Sequence, residues 1–262
     1  MKRAYLFVNI VAAMILLVCS FVFAAEQQVD VNVQPNNIKI DALYNGTSLT
    51  VTGNIPAESD VIARFIGTPS DLHMKEKGKV FGLLWMNLDS LTFKNVPNVC
   101  IVCTPKDMTD PVSPGNSELE RLQLAGLKND VKVESAAGVP LKDDGNNVEE
   151  LLKLKKQEGL YRDLKQEIFY GPVSNGMKAF KTEIPIPSRL SPGKYTVEVA
   201  AVDNGEILGR AVESVNVELV GFPAFLSHLA FGSGAIYGVL ATIIAILGGL
   251  AIGMVFQSKG AH

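Results

Sequence analysis

Histidine is almost absent from this sequence. Its three copies, His73, His228 and His262, lie far apart, so neither a histidine-rich metal centre nor a serine triad can be assembled from the pattern. Cysteine is as scarce, with Cys19, Cys100 and Cys103 the only three. There is no second cysteine pair to complete a four-thiolate zinc site, and no histidine follows Cys103, which excludes the usual covalent haem motif. No glycine-rich phosphate loop opens a helical pattern. Ser191-x-x-Lys194 has the spacing of a penicillin-binding-protein nucleophile, but that chemistry needs the pair at a helix start, and Pro192-Gly193 makes a strand turn there. An excess of basic charge is missing too. All 27 acidic residues and all but three of the 24 basic ones (Lys2, Arg3 and Lys259) fall within residues 26–220, and an acidic span is no nucleic-acid footprint. The pattern therefore predicts no catalytic residues, no metal and no cofactor, and the chain is read as a non-enzyme.

Against these absences stands one long apolar run. Residues 235–256 (AIYGVLATIIAILGGLAIGMVF) are 22 consecutive residues without a charge, and a helix needs about 20 apolar residues to cross a bilayer core about 30 Å thick. The run is expected to be a transmembrane helix. At the other end Lys2 and Arg3 precede an apolar stretch over 4–18, and Val22, Phe23 and Ala24 place small residues at the positions a signal peptidase reads. Residues 1–25 thus read as a secretory signal peptide, with a retained second membrane helix as the alternative, since the stretch is long enough to span. Val18 is too large for the position before a lipidated cysteine, which argues against lipid processing at Cys19. The expected arrangement is a domain over 26–220 in the periplasm or outside the cell, a juxtamembrane segment over 221–234, one crossing over 235–256, and a cytoplasmic tail over 257–262. The one charge of that tail, Lys259, agrees with the positive-inside rule.

The middle of the chain reads mainly as strands. QVDVNV (residues 28–33) and LTVTG (49–53) alternate apolar and polar residues, the period of a half-buried strand. Asn45-Gly46 lies between them, a dipeptide that accepts positive φ at both central positions of a type I′ turn, so the two strands are expected to form a hairpin. Residues 61–66, 80–86 and 99–103 are further strand candidates. The clearest β signal comes last: Ser191-Pro192-Gly193, then KYTVEVAAV, then Asn204-Gly205, then a return strand carrying Val212, Val215, Val217 and Leu219. A Pro-Gly turn feeding a Tyr-x-Val-x-Val strand is found near the penultimate strand of immunoglobulin-like sandwiches, although no Cys-Trp-Cys pattern accompanies it. The fold class expected is mainly β, an immunoglobulin-like β-sandwich. It is interrupted by a helical insertion over 107–166, with one helix over 117–124 and another beginning at Val148 behind an Asn147 cap. Trp85 and Phe93, with Phe81 and Tyr44, are expected in the core rather than in a ligand cage.

The order of these segments is familiar. GLLWMNLDSLTFKNVP (82–97), a charged helix ending in EGLY (158–161), IPIPSRLSPGKYTVEV (184–199), VGF (220–222) and the terminal apolar helix together resemble the Alph_Pro_TM family of transmembrane proteins, first described in alphaproteobacteria. The resemblance covers nearly the whole chain after the leader, and rests on the order of several loose motifs. It brings no catalytic residues with it. It implies a periplasmic domain on one C-terminal helix in the bacterial inner membrane, often encoded beside exporters of the TauE/SafE type, which move sulfite, sulfonates and related anions.

Three groups of residues are the candidates for function. Cys100 and Cys103 are either buried thiols or a local disulfide, with a redox or metal role as the sharper alternative; residues three apart on a flat strand face opposite ways, so a bond between them needs a turn or bulge. Phe222, Phe225, Leu226 and Leu229 recur at helical spacing just before the anchor and suit a helix lying in the headgroup region. Ala241, Ala245, Gly249 and Gly253 are small and spaced by four, the condition for close approach of another membrane helix. The expected function is that of a membrane-anchored accessory protein, contacting a transporter or a second copy of itself. A periplasmic binding module for a small anion or a metal, using Cys100 and Cys103, is the alternative.

Overall fold

A computed structural model of the protein describes residues 29–108, 117–135 and 144–257. The expected signal peptide, the tail after Gln257, and residues 109–116 and 136–143 of the expected insertion lie outside the described residues. Among the described residues, thirteen strands form three sheets. The first sheet has the order β1 (Asp30–Gln34), β3 (Thr47–Pro56), β11 (Met177–Ile186), β10 (Phe169–Ser174). The second has the order β2 (Asn37–Ile40), β13 (Glu206–Leu219), β12 (Gly193–Asp203), β4 (Asp60–Gly67), β7 (Cys100–Pro105), β9 (Tyr161–Gln166). The third joins β5 (Pro69–Val80), β6 (Leu84–Pro97) and β8 (Lys132–Ser135). With β1, β3, β4, β10, β11, β12 and β13 taken as strands A to G, the order β1-β3-β11-β10 and the run β4-β12-β13 match the A-B-E-D and C-F-G sheets of an immunoglobulin-like sandwich. The fold is mainly β.

The six-stranded sheet is covered on both faces, and its residues alternate between two cores accordingly. Val61, Ala63 and Phe65 of β4, Ile101 and Cys103 of β7, and Tyr195, Val197 and Val199 of β12 face the first sheet. Ile62, Cys100, Val102, Ala200 and Val202 face the other way, into a layer of helices and the β5–β6 hairpin. This double covering is why β7 reads as CIVCTP, an unbroken buried run without alternation.

Tyr195 locks the corner where the chain enters β12. Its hydroxyl donates to the Ser191 carbonyl at 2.7 Å and accepts from Asn98 Nδ2 at 2.6 Å, while its ring stacks on Phe65 with centroids 5.0 Å apart. A tyrosine bonded back to the backbone a few residues upstream is the tyrosine corner of immunoglobulin-like domains. Phe65 holds the aromatic core position on β4.

The second layer contains α1 (Ser117–Leu122), a 3-10 turn (Leu124–Gly126), α2 (Leu127–Asp130) and α3 (Asp144–Gln157). Val148, Leu151 and Leu152 of α3 and Leu119 and Leu122 of α1 fill the space over the sheet. Arg64 and Glu198, each 14 % exposed, pair at 2.6 Å, and the Arg64 guanidinium also donates to the Arg121 carbonyl, tying α1 to the sheet. Gly159, at φ 73°, ends α3: its N–H reaches the Lys156 carbonyl and that of Leu160 reaches the Lys155 carbonyl, both at 3.0 Å, a Schellman motif.

Several expectations need correction. β1 and β3 do pair antiparallel, but Asn45-Gly46 is no two-residue hairpin turn. The connection contains β2, which crosses to pair in parallel with β13, and only Gly46 has positive φ. Residues 80–86 are not one strand: Val80 ends β5, Phe81-Gly82-Leu83 turns, and β6 begins at Leu84. Helix α3 starts at Asp144 rather than after Asn147, and the first helix of the insertion stops at Leu122. The expected insertion ends too late, because Tyr161–Gln166 is a strand beside β7. Its pattern, one buried tyrosine followed by mostly exposed polar residues, is that of an edge strand and carries little apolar signal.

Candidate functional site

The two cysteines of β7 are fully buried and unbonded. Cys100 lies in the helix-side core and Cys103 in the core between the sheets. The strand is regular across both, with Ile66↔Cys100 and Ala63↔Cys103 in register, so no bulge turns one thiol toward the other. Burial pushes both thiols up from an ordinary 9.0 to about 12, which keeps them protonated and poor as nucleophiles or metal ligands. Among the described residues, no group of three or more His, Cys, Asp or Glu side chains is placed to hold a metal ion. His73 makes a 2.9 Å hydrogen bond to Thr92 Oγ1 on the surface.

The aromatic residues divide differently from the expectation. Phe93 is buried at 3 % exposure, and Tyr44 is partly buried, donating to the Pro187 carbonyl at 3.4 Å. Trp85 and Phe81 are not in the core: they are 68 % and 93 % exposed at the tip of the β5–β6 hairpin. Leu83, Leu84 and Met86 are exposed beside them. Sequence reasoning missed this surface because an apolar run was taken as a buried strand. The available signal was the absence of alternation in VFGLLWM directly after three lysines spaced by two, Lys75, Lys77 and Lys79.

Between this hairpin and α3 lies a cleft of about 380 Å³, floored by Leu91, Phe93 and Leu151, with Lys75, Glu150 and Lys153 at its margin. The margin mixes both signs and selects for neither anion nor cation.

The C-terminal segment forms two helices. Val220, in extended conformation, leads from β13 into α4 (Gly221–Gly232), and α5 (Gly234–Gln257) follows after Ser233. No residue of α4 is buried. Phe222 and Phe225 are well exposed and Leu226 is 38 % exposed, while Leu229 is half-buried. In α5 the span Gly234–Phe256 is long and apolar enough to cross a membrane, and none of it is buried against the rest of the chain. A core helix of a soluble protein would be mostly covered; this one offers its whole apolar circumference outward, the condition of a helix solvated by lipid. Ala241, Ala245, Gly249 and Gly253 are all exposed on it, and a Cβ at either glycine would meet nothing within 4 Å.

No curated protein matches the chain. The family model described as "Putative transmembrane protein (Alph_Pro_TM)" matches residues 28–258, from the first strand through the apolar helix. An exposed, membrane-length helix fits that description, and the chain belongs to the Alph_Pro_TM transmembrane protein family.

Proposed function

We propose that the protein is a non-enzymatic accessory protein of the bacterial inner membrane, anchored by α5 with its sandwich in the periplasm, where it contacts a membrane transporter. One observation carries the reading: the last strand of the sandwich runs through a one-residue link into α4 and then into the wholly exposed α5, so the domain is held close to the bilayer surface. Helix α4, with Phe222, Phe225, Leu226 and Leu229, lies along the headgroups. The partner is an anion exporter of the TauE/SafE type, a choice supported by the associations of the family rather than by any contact in the chain. The small-residue face of α5 (Ala241, Ala245, Gly249, Gly253) is where an exporter helix, or a second copy, packs.

The test is sulfite export from cells carrying such an exporter with and without this chain, together with co-purification of the two proteins from detergent-solubilised membranes. Reduced export without the chain and recovery of the exporter with it are expected. Unchanged export with no co-purification would overturn the partnership.

A further inference from the structure

The β5–β6 hairpin ends in an apolar cap that none of the described residues covers. From Lys75 to Asn87 no described side chain is buried. Among the described residues the third strand of its sheet, β8, pairs with Leu91–Lys94 of β6, so the described part of the arm from Lys77 to Asn87 is a two-stranded ribbon, an arrangement that is marginal in water by itself. Phe81, Leu83, Leu84, Trp85 and Met86 crowd its end with exposures from 51 % to 93 %.

The turn itself favours the side chain over the backbone. Within the three-residue connection, Phe81 and Gly82 have φ of 53° and 71°, and Leu83 N–H reaches the Val80 carbonyl at 3.3 Å; a consecutive positive pair of this kind is one that Asn-Gly ordinarily supplies. Two other hairpins of this chain, at Asn175-Gly176 and Asn204-Gly205, have asparagine at the equivalent place with φ of 52° and 48°. A phenylalanine there is strained, since bulky residues rarely adopt positive φ. It places a benzyl group at the outermost point of the arm.

Charge and position identify what the cap meets. Lys75, Lys77 and Lys79 alternate along β5 and are exposed, and no acidic residue occurs between Lys77 and Asn87 in a chain that is otherwise acidic. Lys79 Nζ stands 5.3 Å from the centre of the Trp85 ring. Tryptophan prefers the headgroup level of a bilayer, and lysine extends its ammonium group to the lipid phosphates while its methylenes lie against apolar surface. The arm is also rooted on the side where the chain leaves for the membrane. Gly67 at the end of β4 is in register with Tyr195, and Tyr195 with Val215; so the start of β5 and the exit of β13 into α4 lie at the same end of the six-stranded sheet. The 12 residues of β5 span about 40 Å at about 3.3 Å per residue, enough to reach headgroups from that end.

We infer that the β5–β6 tip is a second membrane contact, inserting Phe81, Leu83, Leu84, Trp85 and Met86 into the headgroup region of the leaflet that the sandwich faces, with Lys77 and Lys79 on anionic lipid phosphates. The insertion is shallow, because a two-stranded ribbon leaves edge backbone groups that hydrocarbon cannot satisfy. The inference rests on the anchoring of α5 in a bilayer but not on the identity of any protein partner.

Trp85 is the only tryptophan of the chain, so its emission reports the tip alone. The full chain is reconstituted in vesicles of phosphatidylcholine and phosphatidylglycerol, with and without brominated acyl chains, and vesicle flotation is followed alongside. The expected result is flotation, a blue-shifted emission, loss of most of that emission with brominated lipid, and its recovery in Lys77→Glu/Lys79→Glu. These lysines are exposed, so the variant loses no core contact. Flotation with a solvent-like, unquenched emission would overturn the inference and leave the anchor intact, whereas failure to float would overturn both. An emission shielded from acrylamide but untouched by brominated lipid, and unshielded on dilution of protein in lipid, would also overturn it and assign the tip to a second copy of the chain.

Discussion

Cys100 and Cys103 sit three residues apart on a regular strand, and each is committed to a different core. Their chemistry follows from that burial. At neutral pH neither thiol of the native chain should react with iodoacetamide, while both should react once the chain is unfolded in guanidinium; fast labelling of either in the native chain would contradict the placement. Stability should also depend on pH in one direction. Both folded-state values are raised, by desolvation first, from 9.0 to about 12, so the unfolded chain loses these protons at lower pH than the folded one. Their contribution is therefore fully present below about 9 and is lost as pH rises towards 12. The buried Tyr161, whose hydroxyl donates to the Pro97 carbonyl at 2.7 Å, is shifted up by burial in the same direction. A pH series of thermal melts should show the midpoint falling in that alkaline window. In a Cys100→Ala/Cys103→Ala variant the fall should be shallower, the neutral-pH stability being lower by about 2 kcal/mol from two small cavities.

The three Asn-Gly dipeptides of the chain show what an element takes from its surroundings. Asn175-Gly176 joins β10 to β11 and Asn204-Gly205 joins β12 to β13, with positive φ at both residues of each. The dipeptide at Asn45-Gly46 has the same chemistry but closes no hairpin, because β2 leaves to pair with β13. Turn chemistry permits a hairpin; the available partner strands decide whether one forms. Helix α5 presents the same question in lipid, where its small-residue face can pack on another helix or simply be solvated by acyl chains. A Cβ at Gly249 or Gly253 meets nothing within the chain, so Gly249→Leu/Gly253→Leu cannot clash internally. If the face is a contact, this variant should weaken self-association or exporter co-purification without preventing insertion, and Ile243→Leu should not. Equal behaviour of the two in blue-native electrophoresis and co-purification would leave the helix as an anchor only.

For the molecule as a whole, the proposed single crossing by α5 would put the sandwich on one side of the membrane and His262 on the other. A reporter active only in the periplasm should be active when fused after Val220 and silent when fused after His262. Activity at both positions, or at the second alone, would contradict the proposed orientation. Two contacts with one leaflet, α4 and the hairpin tip, would also restrict how the sandwich tilts over the bilayer, since both depart from the same end of its larger sheet.

The sequence alone was enough for the membrane helix and for the β12–β13 hairpin. Whether a segment can cross a bilayer depends on its own length and apolarity, and a strand pair joined by Asn-Gly carries its period and its turn within about 25 neighbouring residues. The family resemblance was legible for a similar reason, as an order of local motifs. What remained for the tertiary structure were properties that belong to faces rather than segments. The unbroken apolar runs at β7 and at the β5–β6 tip look alike in one dimension, yet one is buried on both sides and the other is covered by none of the described residues. Hydrophobicity measures only the tendency of a residue to leave water, and the elements that come to lie over it determine whether protein or lipid receives it.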